Sequence, residues 1–326
     1  MPKKIALIHR YPENRIKETN AAFPFLKSKG IDVLTFKKFN RLGRFGKFWK
    51  SLAWIFYAPL LVIGKGYDVI YCDDSFPFYG AFVKLASPKS RVILRIGDLH
   101  LMYYYSGWAY RFLHFFEKIS WRMADAIVVI SDAMRSYMSQ EGFLCHVVLD
   151  PVDSADFPSH GLNGDGSVMF HGTLTKNKNV DVLLEAARLL PEVDFVVLGD
   201  GPYFKRLAYS APANVFFHGW VPFKDIHAHI ARCSVGVALR SDNPGNEYVV
   251  TSPFLQYGIM GKPCLVTRRK VFGDYEWQFR DVTEMVSKLK ELLRKPRQEG
   301  QKLRKFILEN HDAEQIGGQI WSLLQS

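Results

Sequence analysis

"VMFHGTLTKNKNVDVLLEA", residues Val168–Ala186, decides how this chain is read. It opens as a short apolar run suited to a strand buried on both faces. It breaks at Gly172, crosses a polar loop holding Lys176 and Lys178, and resumes with the spacing of an amphipathic helix. Strand, glycine turn and helix in that order make half of a βαβ unit, and repeated units build a parallel sheet.

The pattern does repeat. Candidate strands in the first half are "KIALIH", "DVLTF", "DVIYC", "RVILRI", "AIVVIS" and "HVVLD"; the second half supplies "VMFHG", "DFVVLGDG", "VFFHG", "VGVALR" and "CLVT". Two such series predict an α/β chain of two Rossmann-like domains facing a cleft. Residues 1–152, with the tail 309–326, form the first domain, and residues 153–308 the second. The boundary falls in "DPVDSADFPSHGLNGDGS" (Asp150–Ser167), rich in Gly, Pro, Ser and Asp and without periodicity. The last helix, about Ala313–Gln325, is expected to return to the first domain.

At 326 residues and 48% hydrophobic content, the chain can fill two cores. Cys72, Cys145, Cys233 and Cys264 are far apart, which argues against a disulfide framework or a zinc site and suits a reducing compartment. The opening "MPKKIALIHRYPEN" reads as a first strand and not as a secretory signal. A cytoplasmic location is expected.

The net charge of +11 sits in one place. Residues 1–66 carry fourteen Lys and Arg against three acids, while the rest of the chain balances. Residues 37–65 hold seven bases and no acid. On a helical wheel Leu42, Phe45, Phe48, Trp49 and Leu52 share a face, flanked by Arg44, Lys47 and Lys50. That is the pattern of a helix lying in a membrane interface. Arg41, Arg44, Phe45, Lys47, Phe48, Trp49 and Lys50 are the expected contacts to an anionic membrane surface. The following "LAWIFYAPLLVI" has twelve apolar residues and includes Pro59. It falls short of the ~20 that span a bilayer and reads as the buried part of a helix. Aromatics recur in His100–Trp121. A basic, aromatic patch also suits RNA, but no nucleic-acid module is recognisable, and no nucleic-acid partner is expected.

Each strand of the second half ends in a loop beginning with glycine or a helix start. His171-Gly172 leads to a helix that Asn177 or Asn179 could cap, with Lys178 in its first turn. Gly199-Asp200-Gly201-Pro202 follows, with Pro202 suited to the first helical position. His218-Gly219-Trp220 ends the third strand. Ser252-Pro253 reads as an N-cap and N1 pair, its helix stopped by Gly261-Lys262-Pro263. In a parallel sheet all these loops meet at the C-terminal edge, where free N–H groups and positive helix ends attract phosphate. A nicotinamide site is disfavoured, because Tyr203 and Phe204 follow the G-x-G where a third glycine belongs.

"HGTLTKNKNVDVLLEAARLLPEVDFVVLGDGPYFKRL", "NVFFHGWVPFKDIHAHIARCSVGVAL" and "YGIMGKP" together resemble the nucleotide-sugar glycosyltransferases of the GT-B fold. "ADAIVVISDAMRSYMSQEG" and "LDPVDSADF" are similar to that family's first-domain and crossover elements. The resemblance implies a UDP- or GDP-linked sugar as donor, a lipid-linked or polysaccharide acceptor, and no cofactor or metal. It implies donor contacts from Gly172, Thr173, Lys178, Gly201, Trp220, Val221, Glu247, Ser252, Gln256 and Tyr257. In the large retaining branch, arginine follows the first loop glycine and two glutamates stand eight positions apart; here those places hold Thr173, Tyr248 (beside Glu247) and Gln256. "RVILRIGDLH" and "SPFLQYGIMGKP" look like segments of an inverting branch, the β-glucuronosyltransferases of xanthan assembly. Arg95–Asp98 and Leu255–Tyr257 match that branch, whereas Pro253 replaces its phosphate-binding lysine.

An inverting transfer needs a base for the acceptor hydroxyl. Asp98 is the candidate and His100 its competitor; the structural alternative for Asp98 is a helix cap. No Asp-x-Asp suggests a metal, and "CDDS" (Cys72–Ser75) is a different pattern. The rival readings are a GT-B-fold binding protein without transfer activity and a sugar-nucleotide 2-epimerase, whose carboxylate set is not evident.

Overall fold

The computed structural model describes residues 2–9, 16, 20–35, 47–73, 79–158 and 164–326 of the chain. Arg41, Arg44 and Phe45 lie outside the described residues, and of Lys47, Phe48, Trp49 and Lys50 only the backbone is described. The chain divides into two compact units, Met1–Pro151 with Ala313–Ser326, and Val152–Asp312.

In the first unit six described strands run parallel: β1 (Ile5–His9), β2 (Asp32–Thr35), β3 (Val69–Cys72), β4 (Arg91–Ile96), β5 (Ala126–Val129) and β6 (His146–Val147). Their order across the sheet is β2-β1-β3-β4-β5-β6. The helices between them are α1 (Phe23–Ser28), α2 (Lys47–Leu60), α3 (Tyr79–Ala86), α4 (His100–Tyr104), α5 (Gly107–Met123) and α6 (Asp132–Gln140). β1 and β3 are buried at every position, as near-continuous apolar runs require when helices cover both faces. Pro59 falls in the last turn of α2. That helix is only half buried: Trp54, Ile55 and Ala58 face inward, while Phe56, Leu60 and, just beyond, Ile63 are exposed.

The second unit repeats the scheme with β7 (Val168–His171), β8 (Phe195–Leu198), β9 (Val215–Gly219), β10 (Val235–Ala238), β11 (Cys264–Thr267) and β12 (Gln278–Phe279). The order is β12-β11-β10-β7-β8-β9, again all parallel. Its helices are α7 (Asp181–Leu189), α8 (Phe204–Tyr209), α9 (Ile226–Arg232), α10 (Ser252–Ile259), α11 (Val282–Arg294) and α12 (Pro296–Asn310). Strand alternation sorts the core. Phe170, Val197, Val237 and Leu265 enter one cluster, and Met169, Leu198, Ala238 and Val266 enter the other. Gly236 has no side chain because the ring of Tyr257 occupies that space. β12, two residues long, has no counterpart among the expected strands.

The last helix, α13 (Ala313–Gln325), packs against α1 in the first unit. Ile316, Ile320 and Leu324 join Leu7, Leu26, Val69 and Ile93 in one core.

A buried cation ties the first sheet together at its C-terminal edge. Arg95, on β4, donates from Nη1 to Asp73 Oδ1 at 2.9 Å and from Nη2 to Asp150 Oδ1. Asn20 Nδ2 donates to the other Asp73 oxygen at 2.9 Å. Burial alone would raise the Asp73 carboxyl, but Arg95, His9 and Asn20 together hold it below the usual range. Asp150 goes the other way: burial pushes it up, and the charges of Asp73 and Asp98 add to this. One guanidinium thus serves two carboxylates unequally. Arg95→Met removes a cation the two acids share and is expected to destabilise the first unit by about 3–5 kcal/mol. Urea unfolding measures this, and a loss below about 1 kcal/mol would remove Arg95 from its structural role.

Candidate functional site

At the C-terminal edge of the second sheet, three loops are laced backbone to backbone. Gly172 N donates to Leu198 O at 3.0 Å, Leu174 N to Asp200 O at 2.9 Å, and Gly199 N to Gly219 O at 2.7 Å. Gly199 (φ +140°) and Gly201 (φ +155°) lie in the region that favours glycine. A Cβ on Gly199 would fall on the Gly172 carbonyl oxygen, and one on Gly201 would come within 2.5 Å of Leu174 O. Gly201 therefore serves the close crossing of the loops.

After Gly172 the chain forms a 3-10 turn, Lys176–Lys178, with Asn179 left-handed at φ 48°. Lys178 lies in this turn, ahead of α7, whose N-cap is Val180 with no side-chain hydrogen bond. The expected Asn cap is absent because Asn177 is used elsewhere. Its Oδ1 accepts from Asn246 Nδ2 at 2.8 Å and from Ser241 Oγ at 2.9 Å, and its backbone carbonyl accepts from Ser241 N at 2.9 Å. The loop after β7 is thereby fastened to the loop after β10. Two further boundaries move by a residue or two: Thr251, not Ser252, caps α10, and Pro202 precedes the α8 cap, Tyr203.

His171, the last residue of β7, is buried, and its Nε2 has no hydrogen-bond partner. Burial, with the charge of Lys178 acting in the same direction, lowers its pKa from 6.5 to about 3. The Lys178 Cε lies 3.9 Å from where a Gly172 Cβ would be, so its side chain folds over the glycine. On α10, Gln256 is 8% exposed, with Oε1 shielded and unpartnered. Thr251 Oγ1 is also shielded without a partner. Thr173 and Ser252 are exposed, Trp220 is 72% exposed, and Val221 packs on the core beneath.

Two candidates behave differently from expectation. Tyr257 is fully buried; its hydroxyl donates to Met169 O at 2.7 Å and its ring lies 5.0 Å from that of His171. It supports His171 from within the core and has no surface to offer a donor. Glu247 holds the loop after β11, accepting from Lys270 N at 3.0 Å, with Arg269 Nη1 at 3.6 Å. Two arginines escaped the reading: Arg240 after β10 and Arg269 after β11. Both stand at strand ends of the same edge, and the signal was in "VGVALR" and "CLVTRR", where a base directly follows the apolar run.

In the first unit Asp98 follows β4. The residue capping α4 is Leu99, so Asp98 is not used as a helix cap. Its Oδ1 is shielded and unpartnered, and its Oδ2 lies 4.0 Å from His100 Nδ1. Nearby on α5, Glu117 is buried; burial raises its pKa, opposed by a 2.9 Å contact with His114 Nδ1.

Residues 17–147 match the family model "Glycosyl transferase 4-like domain", and residues 165–295 match "Glycosyl transferases group 1". No curated protein matches the chain in sequence. Among solved structures, HepE of Anabaena in complex with UDP and glucose is 16% identical, with all of both chains covered and a TM-score of 0.73. Sucrose-phosphate synthase from Thermosynechococcus elongatus is 14% identical over 99% of this chain and 98% of that one, at 0.79. The lipopolysaccharide outer core galactosyltransferase WaaB is 15% identical over 98% and 100%, at 0.68. These likenesses are of fold.

The neutral His171 makes the second unit acid-sensitive. Between pH 6.5 and about 3 the unfolded chain takes a proton that the folded one refuses, so stability falls as pH drops through that window. By about pH 5 the loss is roughly 2 kcal/mol. Urea unfolding at about pH 7.5 and pH 5 measures it, and His171→Phe should flatten the difference. An equally steep fall in that variant would assign the acid sensitivity to other groups.

Proposed function

The chain belongs to the GT-B glycosyltransferases, and on that premise we propose that it transfers a sugar from a nucleoside diphosphate to an acceptor hydroxyl, without a metal, at a membrane surface. The observation carrying the donor half is the laced edge of the second unit, where Lys178 overlies Gly172 and polar atoms of His171, Gln256 and Thr251 are shielded without partners. HepE structures hold UDP and UDP-glucose at comparable fold similarity. The donor here is read as the same chemical class.

Asp98 is proposed as the base. Its carboxylate takes the acceptor proton as the hydroxyl oxygen attacks the anomeric carbon, and the bond to the diphosphate breaks with its electron pair leaving on the nucleotide. The leaving group gains negative charge, which Lys178 and the α7 and α10 N-terminal amides stabilise without a metal. Attack opposite the leaving group gives inversion, the outcome favoured here. His100, 4.0 Å from Asp98, is placed to steady the carboxylate. Asp98→Asn should leave UDP affinity within about twofold and cut transfer by roughly 10²–10⁴. Isothermal titration and donor turnover measure the two, and full turnover in the variant would remove Asp98 from the mechanism.

A lipid-linked or polysaccharide acceptor, met at the inner face of the cytoplasmic membrane, fits the surface of the first unit. Among the described residues, eleven of the eighteen exposed large apolar side chains fall between Phe56 and Phe116. They sit on or beside α2, α3, α4 and α5, of which α3 packs against both α2 and α5; the Phe56 and Phe82 rings are 6.0 Å apart. Trp108 is 81% exposed. α2, α3 and α5 carry six bases and one acid, Glu117, which is buried. Lys84 and Lys118 are paired with Asp125 and Glu141 on adjoining segments, and an apolar face on helices so rich in bases is suited to anionic lipid. No helix among the described residues is long and apolar enough to cross a membrane. Co-sedimentation with phosphatidylglycerol vesicles should exceed that with phosphatidylcholine vesicles or oligonucleotides. Replacing Trp108, Phe112 and Phe115 by Ser should weaken it at least about tenfold. Unchanged binding by that variant, or preference for the oligonucleotide, would overturn the membrane setting.

A further inference from the structure

We infer that Arg240 is a diphosphate-binding residue, acting with Lys178 from the neighbouring strand end; this rests on the reading that the second unit binds a nucleoside diphosphate. β10 lies between β7 and β11, and Arg240 is the second residue past its end. Its backbone is held on both sides: its N–H donates to Thr267 Oγ1 at 3.1 Å, and its carbonyl accepts from Arg269 Nη2 at 3.0 Å. The next residue, Ser241, is bonded to Asn177 through both backbone and hydroxyl. Asn177 precedes Lys178, so the two cationic loops are one hydrogen-bonded assembly on strands about 4.8 Å apart.

No partner among the described residues explains the side chain. Among the described residues no acid or acceptor engages its guanidinium, and its Nε is shielded from solvent without a hydrogen bond. The acids of this edge are already taken: Asp242 accepts from Arg269 Nη2 at 2.8 Å, and Glu247 accepts from Lys270 N and lies 3.6 Å from Arg269. Arg269, although its own Nε is unpartnered, is therefore held by two acids, and Arg240, one strand over, meets no acid among the described residues. A shielded guanidinium N–H without an acceptor is costly, and an incoming anion removes that cost. β10 alternates between the two cores, with Gly236 against Tyr257 and Ala238 in the cluster that holds Phe254 and Leu255. Continuing that alternation carries Arg240 to the α10 side of the sheet, where His171 meets Tyr257 and Gln256 Oε1 is unpartnered. A fork of N–H donors at that place matches phosphate oxygens.

The test compares UDP, UMP and uridine, with the GDP series in parallel, on the wild-type chain, Arg240→Gln and Arg240→Lys by titration calorimetry. The glutamine variant should weaken the diphosphate roughly ten- to a hundredfold and leave the nucleoside within twofold, with the monophosphate between them. The lysine variant should recover part of the loss. Thermal unfolding without ligand should not fall in either variant, because among the described residues the guanidinium makes no bond within the protein. Equal weakening of diphosphate and nucleoside, or wild-type diphosphate affinity in the glutamine variant, overturns the role of Arg240 while the donor reading stands. A wild-type chain that binds neither series overturns the donor reading, and this inference with it.

Discussion

The second unit depends on two backbones passing where no side chain fits. Gly172 and Gly199 cross so closely that a single Cβ would collide with a carbonyl oxygen, and Gly201 repeats the approach against Leu174. Such a crossing spends the N–H groups of Gly172, Leu174 and Gly199 within the protein and holds the three loops against one another. The rest of the edge is built on it. Lys178 reaches back over the glycine, His171 is kept neutral beneath it, and Asn177 transmits the position of the loop to the strand beyond.

The two sheets treat charge in opposite ways at corresponding edges. In the first, Arg95 is enclosed between Asp73 and Asp150, and the carboxylate left with an unpartnered oxygen is Asp98, three residues along the same strand end. In the second, the acids Asp242 and Glu247 are drawn to Arg269, and the Nε of Arg240 is shielded without a partner.

Much of this fold was legible because strands buried on both faces carry unmistakable apolar runs. Ten of the quoted runs hold strands of four to six residues, and "HVVLD" holds the two-residue β6. β12 was not legible, since Gln278–Phe279 is too short to show a period. The GT-B resemblance was carried by the order of loops, which survives where individual motifs drift. Side-chain commitments were harder. Tyr257 reads as a polar contact beside Gln256, but its hydroxyl is claimed by Met169 O, eighty-eight positions away. Asn177 reads as a cap until Ser241 and Asn246 are brought alongside it by the sheet. Arg240 was overlooked because attention to glycine loops passes over a base that follows a strand directly.

The return of α13 to the first unit has a consequence for how the chain is made. Ile316, Ile320 and Leu324 complete a core whose other members begin at Ile5. On the ribosome the first unit therefore waits with an open apolar groove while all of Val152–Asp312 is synthesised. At about 5–20 residues per second that is roughly ten to thirty seconds. The second unit, continuous in sequence, can close during that interval. The domain that starts first finishes last, and any truncation near the C-terminus injures the N-terminal half of the molecule.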